Sequence, residues 1–132
     1  MSESQWILIV DDDEDIRDVI SMLLARSGYD TEVAEDGIVA LHKIRARGRP
    51  ALVLLDLRMP NMSGSEFIDA IRKDALLRTV PIVVLSGDAV AIQSVEGLGV
   101  HGYIGKPFDY PDLLQLVHRF VGSRVNGNTP RP

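Results

Sequence analysis

The chain has 132 residues, 45% hydrophobic and 25% charged, with a net charge of -5 and no cysteine. That length suits one domain with a real core, and the missing thiols exclude disulfides, thiolate metal sites and a cysteine nucleophile. The acidic balance argues against direct nucleic-acid binding, which needs clustered Lys and Arg. No apolar run approaches a membrane span, and Met1-Ser2-Glu3-Ser4-Gln5 lacks the basic and apolar regions of a signal peptide, so a cytoplasmic protein with no membrane partner is expected.

Trp6-Ile7-Leu8-Ile9-Val10 is an all-apolar run rich in β-branched residues, which reads as a strand covered on both faces. It ends in the acid run Asp11-Asp12-Asp13-Glu14-Asp15. Ile16, Val19, Ile20, Leu23 and Leu24 then recur at helical spacing and Gly28 suits the position past a helix end, which predicts a helix over 14–27. Thr31-Glu32-Val33-Ala34 is a short second strand. Asp36 caps a helix predicted over 37–47, with Ile38, Leu41 and Ile44 facing inward and Gly48 as its stop.

Residues 51–55 form a third strand, also apolar throughout, and Asp56 stands where it runs out, before Leu57-Arg58-Met59-Pro60-Asn61-Met62-Ser63-Gly64. A third helix follows from residue 65, with Phe67, Ile68 and Ile71 on one side. A fourth strand over 81–85 ends in Ser86-Gly87-Asp88, and a weakly marked helix over 89–96 is closed by Gly97 and Gly99. A short fifth strand over 102–105 ends at Lys106-Pro107. The last helix is capped by Asp109, carries Pro111 and Asp112 in its first turn, and turns Leu113, Leu114, Val117, Phe120 and Val121 inward. The tail 123–132, polar and rich in Gly and Pro, is expected to be disordered, which leaves 1–122 as the domain.

Five strands alternating with five helices predict an α/β fold: a doubly wound, five-stranded parallel sheet of flavodoxin-like order 2-1-3-4-5 in a three-layer sandwich. In that order the first and third strands are neighbours, so Asp11, Asp12 and Asp56 share one pocket at the carboxyl edge, where such sheets bind ligands. Ser86 and Lys106 arrive there from the fourth and fifth strands.

Three carboxylates in contact repel one another, so a cation is expected among them. The donors are all oxygens: there is no Cys, His42 and His118 lie elsewhere, and His101 begins its strand and so points to the opposite end. A small set of hard oxygen ligands suits Mg²⁺. A solvated helix start accounts for Asp13, Glu14 and Asp15, since acids favour that position. It does not account for two acids at the end of a buried strand, opposite a third, with a lysine and a serine hydroxyl completing the ring.

Val10-Asp11-Asp12, Asp56-x-x-Met59-Pro60-x-x-x-Gly64, Ser86 after the fourth strand and Tyr103-x-x-Lys106-Pro107 occur in order at βα spacing. Over residues 5–122 the chain thereby resembles the CheY-like receiver domains of two-component response regulators. The resemblance implies that Asp56 is the phosphoacceptor, that Asp12 binds Mg²⁺ directly and Asp11 largely through water, and that the Arg58 backbone carbonyl adds a ligand. It implies that the Ser86 hydroxyl binds the phosphoryl group, that Lys106 pairs with Asp56 and then with the phosphate, and that the bond before Pro107 is often cis. Ser86 and Tyr103 become switch residues for the face made by the fourth helix, fifth strand and fifth helix. Arg58 and Asp88 flank the path of the hydrolytic water, where their opposite charges can form a gating ion pair.

The implied phosphodonor is a sensor histidine kinase or a histidine phosphotransfer protein. The implied reader is a downstream protein or an output domain outside these residues, and the only chemistry is the domain's own phosphorylation and dephosphorylation. Gly87 and Gly105 stand where many relatives carry Ala and a larger apolar residue, and both are expected to loosen the backbone beside the switch residues. Met59, Met62 and Phe108 are read as packing residues.

Three other functions compete. A haloacid-dehalogenase-type phosphatase also uses a strand-end Asp and Mg²⁺, but needs a second Asp two residues on, where this chain has Arg58. A flavin carrier would need a Ser/Thr/Gly-rich loop where Asp11, Asp12 and Asp13 stand. A receiver that takes no phosphate would not need the full set of acid, hydroxyl and lysine.

Overall fold

A computed structural model describes residues 5–122, and the tail 123–132 lies outside the described residues. The elements follow in the order β1 Trp6–Val10, α1 Glu14–Arg26, β2 Asp30–Ala34, α2 Gly37–Arg47, β3 Leu52–Asp56, α3 Gly64–Lys73, β4 Ile82–Leu85, α4 Ala89–Gln93, β5 Gly102–Ile104 and α5 Tyr110–Val121. The strands pair in parallel in the order β2-β1-β3-β4-β5, as the alternation predicts.

Strand pleating sends successive side chains to opposite faces, and each face has its own core. Leu8, Val10, Val53, Leu55, Ile82 and Val84 pack under α2 and α3 with Ala40, Ile44, Phe67, Ile68 and Ile71. Ile7, Ile9, Leu52, Leu54, Val83 and Leu85 pack under α1 and α5 with Ile20, Leu24, Leu113 and Val117. β1, β3 and β4 are buried along their whole length, which explains why their sequences are continuous apolar runs rather than alternating ones.

Four local expectations need correcting. α2 turns Gly37, Ala40 and Ile44 to the sheet and leaves Ile38 exposed, because its small residues are the ones that allow close approach. α3 begins at Gly64 behind a capping box in which the Ser63 hydroxyl accepts from Glu66 N–H and the Glu66 carboxylate accepts from Ser63 N–H. That Ser-x-x-Glu signature is legible in the sequence. α4 stops at Gln93, and the chain reaches β5 through turns in which Gly97 and Gly99 have φ of 86° and 83°. Asp109 stands at the N-cap of α5 without making a side-chain capping bond.

The register prepares the site: Val10 lies beside Leu55 and Asp56 beside Leu85, so Asp11 comes level with Asp56. This frame gives two measurable contrasts in urea unfolding. Leu54→Ala, in the core under α1, should cost about 3 kcal/mol, whereas Ser63→Ala should cost about 1 kcal/mol through the lost cap.

Candidate functional site

Asp11 follows β1 and is 0% exposed. Its carboxylate accepts from Asp13 N–H at 2.9 Å and from the Lys106 ammonium at 3.1 Å, and its carbonyl accepts from the Arg17 guanidinium at 3.1 Å. Asp56, the last residue of β3, is 6% exposed and accepts from Arg58 N–H at 3.3 Å. Asp12 faces solvent, yet one carboxylate oxygen from each of Asp11, Asp12 and Asp56 lies within 4.8 Å of the others. Lys106 stands 3.7 Å from Asp56, so its ammonium is shared between the two buried acids and sits nearer Asp11 than the resemblance implied.

Burial drives the Asp56 carboxyl up to about 6, the Asp11 charge adds to the rise, and Lys106 pulls against it. One ammonium for three carboxylates leaves the cluster short of positive charge. The all-oxygen donor set, with Asp12 open to solvent, fits a small hard cation that keeps some of its waters.

The remaining predicted residues ring the same cavity. It measures about 480 Å³ and is lined by Asp11, Asp12, Asp56, Arg58, Ser86 and Lys106, among others. Ser86 is buried at the end of β4, where its hydroxyl accepts from Asp88 N–H at 3.1 Å. Arg58 and Asp88 form an ion pair of 2.7 Å between the loops after β3 and β4. That hydrogen bond holds the Asp88 carboxyl below the usual range, and the same carboxylate caps α4 through Val90 N–H at 2.9 Å. Tyr103, in β5, is 41% exposed and stands outside the cavity.

Lys106–Pro107 is cis. Gly87 does not act as a loosening residue there. A Cβ on it would stand 2.5 Å from the Lys106 carbonyl oxygen, so the missing side chain lets the loop after β4 press against the lysine backbone. Met59 and Met62 pack on the core under α2 and α3, and Phe108 on the opposite core, as expected. Asp36, among the described residues the one buried acid outside the cavity, shows in the sequence only as a helix cap; its bond to the loop after β3 has no signal there.

Residues 7–118 match the family described as response regulator receiver domain. The chain belongs to that family. It is 38% identical over 130 residues to the DNA-binding response regulator MtrA of Mycolicibacterium paratuberculosis, an alignment covering 97% of this chain and 54% of the relative. The chain thus spans about half the length of the curated relatives it matches. Among solved structures, the chemotaxis protein CheY4 of Vibrio cholerae superposes with a TM-score of 0.81 at 32% identity, covering 89% of this chain and 99% of that one. The receiver domain of a sensor histidine kinase from Pseudomonas aeruginosa, solved with a magnesium ion coordinated in its active-site cleft, superposes with a TM-score of 0.79 at 31% identity, covering 92% and 100%. Among the described residues of this receiver, no helix is long and apolar enough to cross a membrane.

The raised Asp56 value sets a pH dependence. Well below pH 3.8 the carboxyl is protonated in both the folded and unfolded chains; between there and about 6 the unfolded chain ionises while the folded receiver, whose carboxyl is buried beside Asp11, keeps its proton, and stability is lost across that window. In metal-free buffer, Asp56→Asn should therefore be more stable than wild type by on the order of 2 kcal/mol at about pH 8, with the difference shrinking to about 0.5 kcal/mol at about pH 4. Urea titrations across that range, with a chelator present, measure the difference.

Proposed function

We propose that this receiver takes a phosphoryl group onto Asp56 from a phosphohistidine, carried by a sensor histidine kinase or a histidine phosphotransfer protein. The observation that carries the reading is the placement of Asp56: nearly buried, at the end of a central strand, 3.7 Å from the Lys106 ammonium and level with the acid pair Asp11 and Asp12. An Asp56 oxygen attacks phosphorus in line, the phosphorus–nitrogen bond breaks, and its electron pair leaves on the donor's imidazole nitrogen. Mg²⁺, held by Asp12, Asp56 and the Arg58 backbone carbonyl with Asp11 acting largely through water, would neutralise charge on the transferring group.

Among the described residues Lys106 is the one ammonium in reach, and it moves from between Asp11 and Asp56 toward the new phosphoryl oxygens. The Ser86 hydroxyl, an acceptor from Asp88 N–H in the resting chain, turns to donate to the same group. That movement frees space for Tyr103 to rotate inward, and the α4–β5–α5 face changes as a two-state element. α4 suits this role, since none of its five residues is buried. The reader of that face is a downstream protein or an output domain, by analogy with relatives longer than this chain.

A protein donor is favoured by the surface beside the site. A cavity of about 550 Å³ between α1 and the loop that joins β5 to α5 is lined by Ile16, Val19, Ile20, Pro107 and Phe108, and it shares Ile16 and Lys106 with the acid cavity. An apolar donor surface seated there brings its histidine to Asp56.

Acetyl phosphate with Mg²⁺ should add one phosphoryl mass to the wild type and none to Asp56→Asn in intact-mass spectra; uptake by the variant at the wild-type rate would reverse the assignment. The Arg58–Asp88 pair should obstruct the water that hydrolyses the acyl phosphate. Arg58→Ala and Asp88→Ser, which keeps a helix cap, should each speed dephosphorylation by about two- to fivefold, and the double variant no further. Multiplying effects would mean that the two side chains act independently.

A further inference from the structure

Among the described residues, Asp36 is the only one of the four buried polar ones that lies outside the acid cavity. One of its carboxylate oxygens accepts from Val39 N–H at 2.9 Å, capping α2, and the other accepts from the Asn61 side-chain amide at 2.9 Å. Asn61 belongs to the loop between β3 and α3 and is the one non-glycine residue at positive φ, 69°, among those described. Met62 N–H donates to the Pro60 carbonyl at 2.7 Å, so Asn61 is the centre of a three-residue turn of a strained kind. Met62 itself lies over Gly37, where a Cβ would come within 2.7 Å of its sulfur. Such a turn persists only where its surroundings hold it, and here the surroundings are the start of α2.

The same loop carries Arg58, whose backbone N–H is tied to Asp56 and whose guanidinium is tied to Asp88. Besides the capping box that joins Ser63 to α3, side-chain hydrogen bonds tie this loop to its neighbours through that ion pair on one side and through Asn61–Asp36 on the other.

We propose that Asp36 and Asn61 are positioning residues for the phosphoacceptor site, a latch that fixes the loop after β3 and thereby the Arg58 backbone beside the three carboxylates. The proposal deepens the reading of Asp56 as a Mg²⁺-assisted phosphoacceptor and rests on it. Neither residue touches the cation or the phosphoryl group; both act through the loop. Hydrogen bonds that orient metal ligands from behind are commonly worth a tenfold or larger change in metal affinity.

Two variants cut the latch while sparing its local structural duties. Asn61→Gly keeps the positive φ and removes the amide, and Asp36→Ser keeps the α2 cap but is too short to reach Asn61. Calorimetric Mg²⁺ titration, without phosphodonor, should show each binding about tenfold more weakly than wild type, and the double variant no more weakly than either. The exchange Asp36→Asn with Asn61→Asp keeps the net charge and rebuilds the bond with donor and acceptor reversed, so affinity should return.

Amide hydrogen exchange on metal-free protein supplies a second arm that needs no ion: residues 58–62 should exchange faster in both single variants and recover in the exchange pair. Unchanged exchange, or unchanged Mg²⁺ affinity with only a lower unfolding temperature, overturns the latch. Failure of the wild-type chain to bind Mg²⁺ overturns instead the reading of Asp56 on which the latch rests, and the metal-free arm separates the two failures.

Discussion

Like charges crowded at the carboxyl edge of the sheet are the constraint around which this receiver is built. Two of the three carboxylates are buried, and among the described residues the ammonium of Lys106 is the one cation paired with them within 4 Å. Left alone, that arrangement opposes folding, which is why Asp56 takes up a proton more readily than an ordinary carboxyl. By the same electrostatics, anything that delivers positive charge to the edge relieves that opposition.

Several features follow from the need to hold those groups in place. Asp13 N–H and Lys106 take up Asp11 from two sides, so the most deeply buried acid has hydrogen-bond partners for both of its oxygens. Gly87 lets the loop after β4 press on the Lys106 backbone, and the cis bond before Pro107 lies directly beyond it. Close approach at Gly87 makes the connection between the Ser86 loop and the lysine tighter than a bare glycine count implies. The loosest part of the edge is instead α4, five residues long and followed by two glycines in left-handed turns.

Arg58 illustrates how one side chain separates related chemistries. An acid two residues beyond the strand-end carboxylate would supply the proton donor that a phosphatase needs. A guanidinium cannot act as a general acid or base at ordinary pH, because it stays protonated. Paired with Asp88 at 2.7 Å, it spans the loops at the mouth of the cavity instead of entering the chemistry.

The sequence by itself determined the sheet and which residues meet at its carboxyl edge. Apolar runs at 6–10, 52–55 and 82–85 can be satisfied only by burial on both faces, and that burial implies helices on each side and a parallel order. Asp11, Asp12, Asp56, Ser86 and Lys106 each stand at or just past the end of a strand, so their meeting at one edge follows from topology alone. What tertiary structure decided are matters of ångströms and of helix phase. Which acid Lys106 favours depends on the path of the chain through Pro107, and the inward face of α2 depends on how closely Gly37 and Ala40 approach the sheet and Met62. The bond between Asp36 and Asn61 joins two loops 25 residues apart, and no local pattern encodes a contact whose two halves each look like an ordinary cap and an ordinary turn.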